Sequence, residues 1–245
     1  MAGSAMKRYT SRGVVLGTIK YGDKGLVVQM LTSTHGRQSY MVQGLGSRRG
    51  HGKMALFQPM FALEFEGLES QRMQMHRLGE VHNGILLQSI PFDIKKSTIA
   101  LFMAEVLHRL VKESEANDML FDFVWGSVEA LDLATEGIAN FHLWFLSHLC
   151  RFLGFSPGND YTPQAWFNIA EGMFTTQKPP REYCITQENA LILRDMLECD
   201  VRYIAEIGLN RHQRVDFLSS LVSYYGYHLD TINSVQSIRI LQEVF

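Results

Sequence analysis

The segment from Gly44 to Lys53 has the residue types that bind phosphate groups. It reads Gly-Leu-Gly-Ser-Arg-Arg-Gly-His-Gly-Lys, so that Arg48, Arg49 and Lys53 stand among glycines. Arginine and lysine pair with phosphates, and glycine lets a backbone approach a ligand closely. A nucleotide-binding P-loop is excluded, because the spacing is one residue too long and Met54 replaces the Ser or Thr that holds magnesium. We therefore predict a loop that contacts a polyanion through these three cations.

The near-matches to catalytic and metal motifs fail on their context. Gly154-Phe-Ser-Pro-Gly158 has the letters of a nucleophile elbow, but it ends a helical pattern instead of linking a strand to a helix. The sequence has no His-x-x-x-His or Cys-x-x-Cys spacing, and no carboxylate pair stands out for acid–base catalysis. We expect a protein that is not an enzyme and that holds no metal or cofactor.

The cysteines and the apolar segments indicate the compartment. Cys150, Cys184 and Cys199 have no close pair among them, which favours free thiols in a reducing compartment. A bilayer span needs about 20 nearly uninterrupted apolar residues, and polar residues break the most apolar stretch, 138–155. We expect a cytoplasmic protein without a membrane partner. Residues 1–5 precede a second methionine and are expected to be left over from cloning.

Charge is divided sharply along the chain. The segment from Lys7 to Lys53 has nine basic residues and one acid, Asp23, a net charge of +8. Because the whole chain carries −2, the remainder carries −10. A basic segment with interleaved glycines and tyrosines favours nucleic-acid binding. Beyond the loop, the predicted DNA-contacting residues are Arg12, Lys20, Lys24, Arg37 and Tyr40. Tyr9 and Tyr21 are further candidates for base stacking, and Tyr40 is equally a candidate for the core.

The spacing of apolar residues predicts the elements that position these side chains. Five strands are predicted in the first third, at 12–19, 25–32, 37–43, 57–65 and 72–78. Short strands with glycine at the corners fit a small barrel such as the OB-fold. After residue 93 the apolar period changes from two to 3.6, which predicts helices. The predicted class is therefore α+β with several domains: a five-stranded OB-fold barrel at 6–84 and a helical domain at 85–245 with an irregular or β insert at about 156–182.

Five short stretches, in their order and spacing, carry a resemblance to a known family. They are Gly13-Val-Val-Leu16 with Tyr21-Gly-Asp23, Leu31-Thr32 with His35-Gly36-Arg37, the basic loop followed by Ala55-Leu-Phe-Gln-Pro59, Arg151-Phe-Leu-Gly-Phe155, and Tyr224-Tyr-Gly-Tyr-His-Leu229. Together they span nearly the whole chain from Met6. This pattern resembles the bacterial recombination mediator family RecO.

The sequence departs from that family at two places. Where the basic loop usually opens Lys-Gly-Ala-Arg, this chain has Gln43, Leu45 and Gly46, so Arg48, Arg49 and Lys53 must carry more of the contact. Many members also hold zinc with four cysteines after the Leu-Gly-Tyr helix, whereas this stretch has only Cys184. We expect a zinc-free insert that is held by Trp166, Phe167 and Phe174.

The resemblance implies a mediator of DNA repair and homologous recombination. Such proteins bind single- and double-stranded DNA, anneal complementary strands and act with RecR to load RecA onto DNA coated by single-strand-binding protein. They work in the bacterial cytoplasm at the nucleoid. The resemblance also implies that an apolar groove of the helical domain receives the acidic C-terminal tail of single-strand-binding protein, with Arg109, Lys112 and Arg151 as candidate flanking charges.

Two other classes of function stay open at this point. An OB-fold that binds structured RNA would have a similar charge pattern. A scaffold protein whose basic part meets an acidic protein would need no nucleic acid at all. An enzyme would require a pocket that gathers groups distant in sequence.

Overall fold

The protein folds into two compact units that interleave along the chain. The computed structural model describes residues 7–22, 25–43, 53–69, 75–112 and 115–245. The first unit contains the chain up to residue 92 together with 111–132, and the second contains 93–110 and 133–245. The division into domains 6–84 and 85–245 stays a prediction, and residues 85–92 and 111–132 group with the first unit.

Five strands form a closed barrel in the first unit. They are β1 Lys7–Tyr21, β2 Gly25–Thr32, β3 Gly36–Val42, β4 Ala62–Glu69 and β5 His76–Asn83. The strand order is β1-β2-β3-β5-β4, and β4 closes the barrel against β1. The β3–β5 pair is parallel and every other pair is antiparallel. This is the predicted five-stranded OB-type topology, and the predicted fold class is confirmed.

The barrel core follows from alternation along β2. Leu26, Val28 and Met30 point inward and pack with Phe57 and Leu63. Phe57 corrects one prediction, because the strand expected at 57–65 begins at residue 62. Residues 57–61 form a turn instead, in which the Met60 N–H donates to the Val15 carbonyl at 2.7 Å and places Phe57 in the core. The last strand extends to residue 83, past the predicted end at 78, and residues 72–74 of that prediction lie outside the described residues.

Five helices of the second unit surround an apolar centre. They are α1 Ile94–Leu110, α3 Phe141–Leu149, α4 Gln187–Glu198, α5 Arg211–His228 and α6 Ser237–Val244. The helix between the first two, α2 Asp118–Leu133, belongs to the first unit apart from its last residue. All nine residues of α3 are buried. Short 3₁₀ turns extend α3 on both sides, and Gly154, at φ 89°, ends it. The predicted central helix over 138–153 and its glycine stop are confirmed.

A small three-stranded sheet has two strands in the insert and one directly after it. Its strands are β6 Trp166–Asn168, β7 Met173–Thr175 and β8 Cys184–Ile185, in the order β7-β6-β8. Phe167 is buried and meets the rings of Phe174 and Tyr224 at centroid distances of 5.1 and 5.2 Å.

Within the described ranges, no group of three or more His, Cys, Asp or Glu is placed to hold a metal ion. Among the helices of those same ranges, none has the length and hydropathy to cross a membrane.

Candidate nucleic-acid interface

Strand register brings the strand ends that flank three loops of the barrel to one continuous edge. Tyr21 pairs with Gly25, Leu26 with Val42, and Met41 with Arg77. The β1–β2 loop, the β3–β4 segment that contains the basic loop, and the β4–β5 loop therefore start or end on neighbouring strands. OB-folds bind oligonucleotides on the face of their second and third strands and on the β1–β2 and β4–β5 loops. This edge, which we call the barrel edge, is the candidate interface.

Tyr21 and Lys20 present an aromatic ring and a cation at the barrel edge. Both side chains are exposed, and Tyr21 is 57% exposed. Gly25 allows a close approach of the backbone, because a Cβ at residue 25 would stand 2.5 Å from the Tyr21 carbonyl oxygen. Tyr21 Cδ1 would lie 3.5 Å from that Cβ, an ordinary contact distance, so the ring lies next to Gly25. An exposed ring beside a cation is suited to stack on an unpaired base.

An apolar row continues from this ring across the outer face of the sheet. Ile19, Val27, Met41 and Arg77 are successive cross-strand partners, so their side chains share one face. Arg77 was not among the predicted contacts. Its Nε–H is buried and has no hydrogen-bond partner in the part of the chain that the structure describes. The alternation of Met73, Met75 and Arg77 in the sequence was the signal that could have marked it.

Tyr40 lies in the barrel core and is removed from the predicted stacking residues. Its side chain is fully buried, and its hydroxyl is hydrogen-bonded to the Tyr9 hydroxyl at 3.0 Å. Burial and the Tyr9 hydroxyl raise the pKa of Tyr40. The Tyr9 hydroxyl also meets His76 Nδ1 at 2.6 Å, and the Tyr9 ring packs over Gly67. Of the three candidate tyrosines, only Tyr21 exposes its ring for stacking on a base.

The other predicted DNA contacts have different surroundings. Arg12 forms an ion pair with Asp122 at 3.5 Å, and its guanidinium lies 5.2 Å from the ring centroids of Phe121 and Trp125. Arg12 is therefore held against α2, although it stays partly exposed. Arg37 is half-buried opposite Leu31, and Lys53 is exposed at the start of the turn that leads to Phe57. Lys24, Arg48 and Arg49 lie outside the described residues.

A second candidate site is a cavity of about 330 Å³ in the helical unit. Tyr161, Phe174 and Leu197 give it apolar walls, and Arg151 and Arg194 give it two cations. The Arg194 guanidinium lies 4.9 Å from the Tyr161 ring centroid. The sequence predicted Arg151 but missed Arg194, because only the fold brings α4 beside the insert.

Arg109 and Lys112, the other two predicted flanking charges of this second site, are exposed and do not line the cavity. Burial and the nearby Arg151 charge lower the pKa of His148 to about 4.

Two family models together cover most of the chain. The model described as recombination protein O N terminal matches residues 6–88, and the one described as recombination protein O C terminal matches 91–234. The chain belongs to the RecO family. The RecO resemblance inferred from the five short stretches is thereby confirmed.

Curated relatives of RecO type match over nearly their full length. The DNA repair protein RecO of Bacteroides fragilis is 34% identical over 235 residues, which is 95% of this chain and 97% of the relative. The DNA repair protein RecO of Flavobacterium psychrophilum is 31% identical over 236 residues, 96% of this chain and 98% of the relative. The DNA repair protein RecO of Porphyromonas gingivalis is 30% identical over 241 residues, which is 96% of this chain and 98% of the relative. These relatives agree with a role of the RecO family in DNA repair and recombination.

Proposed function

We propose that this protein is a non-enzymatic mediator of DNA repair and homologous recombination. It binds single- and double-stranded DNA at the barrel edge and anneals complementary strands. With RecR, it helps load RecA onto DNA coated by single-strand-binding protein, in the bacterial cytoplasm at the nucleoid. Family membership and the names of the relatives support the role in repair and recombination.

The observation that carries the DNA-binding proposal is the barrel edge. The exposed Lys20 and Tyr21 lie there beside the ends of the β1–β2 loop and of the segment that contains Arg48 and Arg49. Cations at this edge neutralise phosphates and release counterions. Two strands repel each other, so a surface that neutralises phosphates on both lowers the cost of their approach. Bases held through their backbone and one aromatic ring remain free to pair.

We further propose that the cavity of Arg151 and Arg194 receives the acidic tail of single-strand-binding protein. Two arginines suit carboxylates, since a guanidinium pairs with them through several N–H donors. The Tyr161 and Phe174 walls suit an apolar residue of the tail. Arg151, which the sequence predicted, and Arg194, which it did not, both line the cavity. Arg109 and Lys112 do not line it, so we leave them out of this proposal.

The DNA-binding proposal is tested by fluorescence anisotropy of a labelled single-stranded oligonucleotide across a salt series. Wild type is compared with Lys20→Ala and with the triple variant Arg48→Ala/Arg49→Ala/Lys53→Ala. Each lost phosphate contact should make the slope of log K against log salt shallower by about 0.7. Lys178→Ala, an exposed lysine of the insert, is the matched control and should keep the wild-type slope.

The same assay separates the rival functions. Absence of DNA binding at low salt would refute the mediator proposal and favour a scaffold that meets an acidic protein. Tighter binding of a structured RNA than of single-stranded DNA would favour an RNA-binding factor. An unchanged slope in both barrel variants would refute the assignment of the interface to the barrel edge.

A further inference from the structure

A groove of about 650 Å³ in the helical unit shares only Glu198 with the cavity of Arg151 and Arg194, and none of its lining residues belongs to the barrel edge. One wall is a face of α4 on which Glu188, Leu191, Asp195 and Glu198 follow one another at spacings of three and four residues. The opposite wall is the 3₁₀ segment that contains Tyr203, together with residues 206–209. Because the lining residues of α4 run from Glu188 to Glu198, this wall is about 15 Å long at a rise of about 1.5 Å per residue.

The floor and lip of the groove are apolar. Ile192 is buried at the floor, and Ile207 and Leu209 line it from the opposite wall. Two large side chains are left open to solvent at the lip, Leu191 at 39% and Tyr203 at 55% exposure. Exposed aliphatic and aromatic side chains beside a concave floor are typical of a surface that receives apolar residues of a partner.

The rim of the groove is strongly acidic. Its five carboxylates are Glu188, Asp195, Glu198, Asp200 and Glu206. Arg194 and Arg202 pair with Asp195 and Asp200, both at 2.7 Å, so five acids and two arginines leave a net charge of −3. The thiol of Cys199 lies within this rim, and its pKa is raised by burial and then by Glu206, Asp200 and Asp195. The carboxylates therefore produce negative potential inside the groove.

This potential decides which occupants fit. Nucleic acid and an acidic peptide tail are repelled by a net charge of −3, so neither ligand of the proposed function suits the groove. We propose that the groove docks a cationic amphipathic segment of a partner protein. Bulky apolar side chains of that segment fill the space between Leu191 and Tyr203, and its lysine or arginine side chains meet the rim. A wall about 15 Å long matches two to three turns of a bound helix. A helix laid in a groove is a common mode of peptide recognition.

The proposal is tested with a fluorescein-labelled helical peptide of about 12 residues that has leucine and phenylalanine on one face and lysines along both borders. Binding to the full chain is measured by anisotropy. Glu198→Lys/Glu206→Lys should raise the dissociation constant at least tenfold, and Leu191→Gln at least fivefold. Glu136→Lys/Glu171→Lys makes the same charge change on exposed residues outside the groove and should stay within twofold of wild type.

Matched probes identify the chemistry that is recognised. A peptide with glutamate in place of each lysine should not bind, and one with serine in place of each apolar residue should bind at least fivefold more weakly. If Glu198→Lys/Glu206→Lys and Glu136→Lys/Glu171→Lys weakened the binding of the cationic peptide equally, the attraction would be non-specific and the proposal would be overturned. Salt-sensitive self-association in sedimentation, abolished by Glu198→Lys/Glu206→Lys, would make a second copy the occupant and also overturn it. Single-stranded DNA binding by Leu191→Gln should equal that of wild type, which separates this proposal from the DNA-binding function.

Discussion

Replacing Tyr21 with alanine should weaken the binding of single-stranded DNA and leave the binding of duplex DNA unchanged. The ring is 57% exposed, so its face is open to an unpaired base. Stacking of a base on an aromatic ring contributes about 1–3 kcal/mol when measured by alanine substitution. Because the ring occupies a single exposed position, we expect the lower part of that range, about 1.4 kcal/mol or tenfold in dissociation constant. Duplex bases are already stacked on one another and gain nothing from the ring.

The assay compares a labelled oligothymidine with a duplex of the same length at one salt concentration. Tyr21→Phe keeps the ring and should stay within about twofold of wild type, since the π-face is what a base contacts. Tyr227→Ala is the matched control, because Tyr227 is a tyrosine of similar exposure, 51%, in the other unit. Equal weakening of single-stranded and duplex binding by Tyr21→Ala would mean that the residue acts on the backbone. No weakening at all would refute the stacking role.

Two further predictions concern stability and the proposed tail site. Asp132→Ala should lower the free energy of unfolding in urea by about 3 kcal/mol, because the Asp132 carboxylate accepts hydrogen bonds from the backbone N–H groups of residues 88–90. Asp122→Ala, on the same helix, is the control and should lower it by at most about 0.5 kcal/mol. Burial acts to raise the pKa of Asp132, but those hydrogen bonds outweigh burial and the pKa is lowered. The difference in unfolding free energy between wild type and Asp132→Ala should therefore persist above about pH 4 and shrink as the pH falls further. In anisotropy with an acidic peptide that has an apolar end, Arg194→Ala should raise the dissociation constant at least fivefold, whereas Arg109→Ala should leave it unchanged.

The sequence predicted best the elements that turn signals bound on both sides. Residues 25–32 are a nearly continuous apolar run between such signals, and β2 has those bounds. The strand expected at 57–65 was wrong at its start, because a short apolar run fits a strand or a buried turn equally well. Phe57 belongs to such a turn, and its partner Val15 lies more than 40 residues away in the chain.

The candidate site was predictable in residue type but not in placement. Tyr40 and Met41 are neighbours in β3, and alternation alone does not say which of the two faces the core when both can be buried. Arg77 and Arg194 were missed for a related reason. Alternation places Arg77 on a strand, but only cross-strand register puts it next to Met41. The surroundings of Arg194 come from the packing of α4 beside the insert, which leaves no local signal in the sequence.

Helix α4 separates a cationic cavity from an acidic groove, and Glu198 lines both of them. Its carboxylate lies 3.9 Å from Arg194 Nε, so it competes there with any carboxylate that enters the cavity. Glu198→Gln should therefore change the affinities of the two sites in opposite directions. The acidic peptide should bind the cavity about two- to threefold more tightly, and the cationic peptide should bind the groove about two- to threefold more weakly. The shift is small because an exposed ion pair contributes at most about 1 kcal/mol. Weakening of both peptides would instead show that Glu198 acts through the position of α4, and the two sites would then not be distinguished by charge.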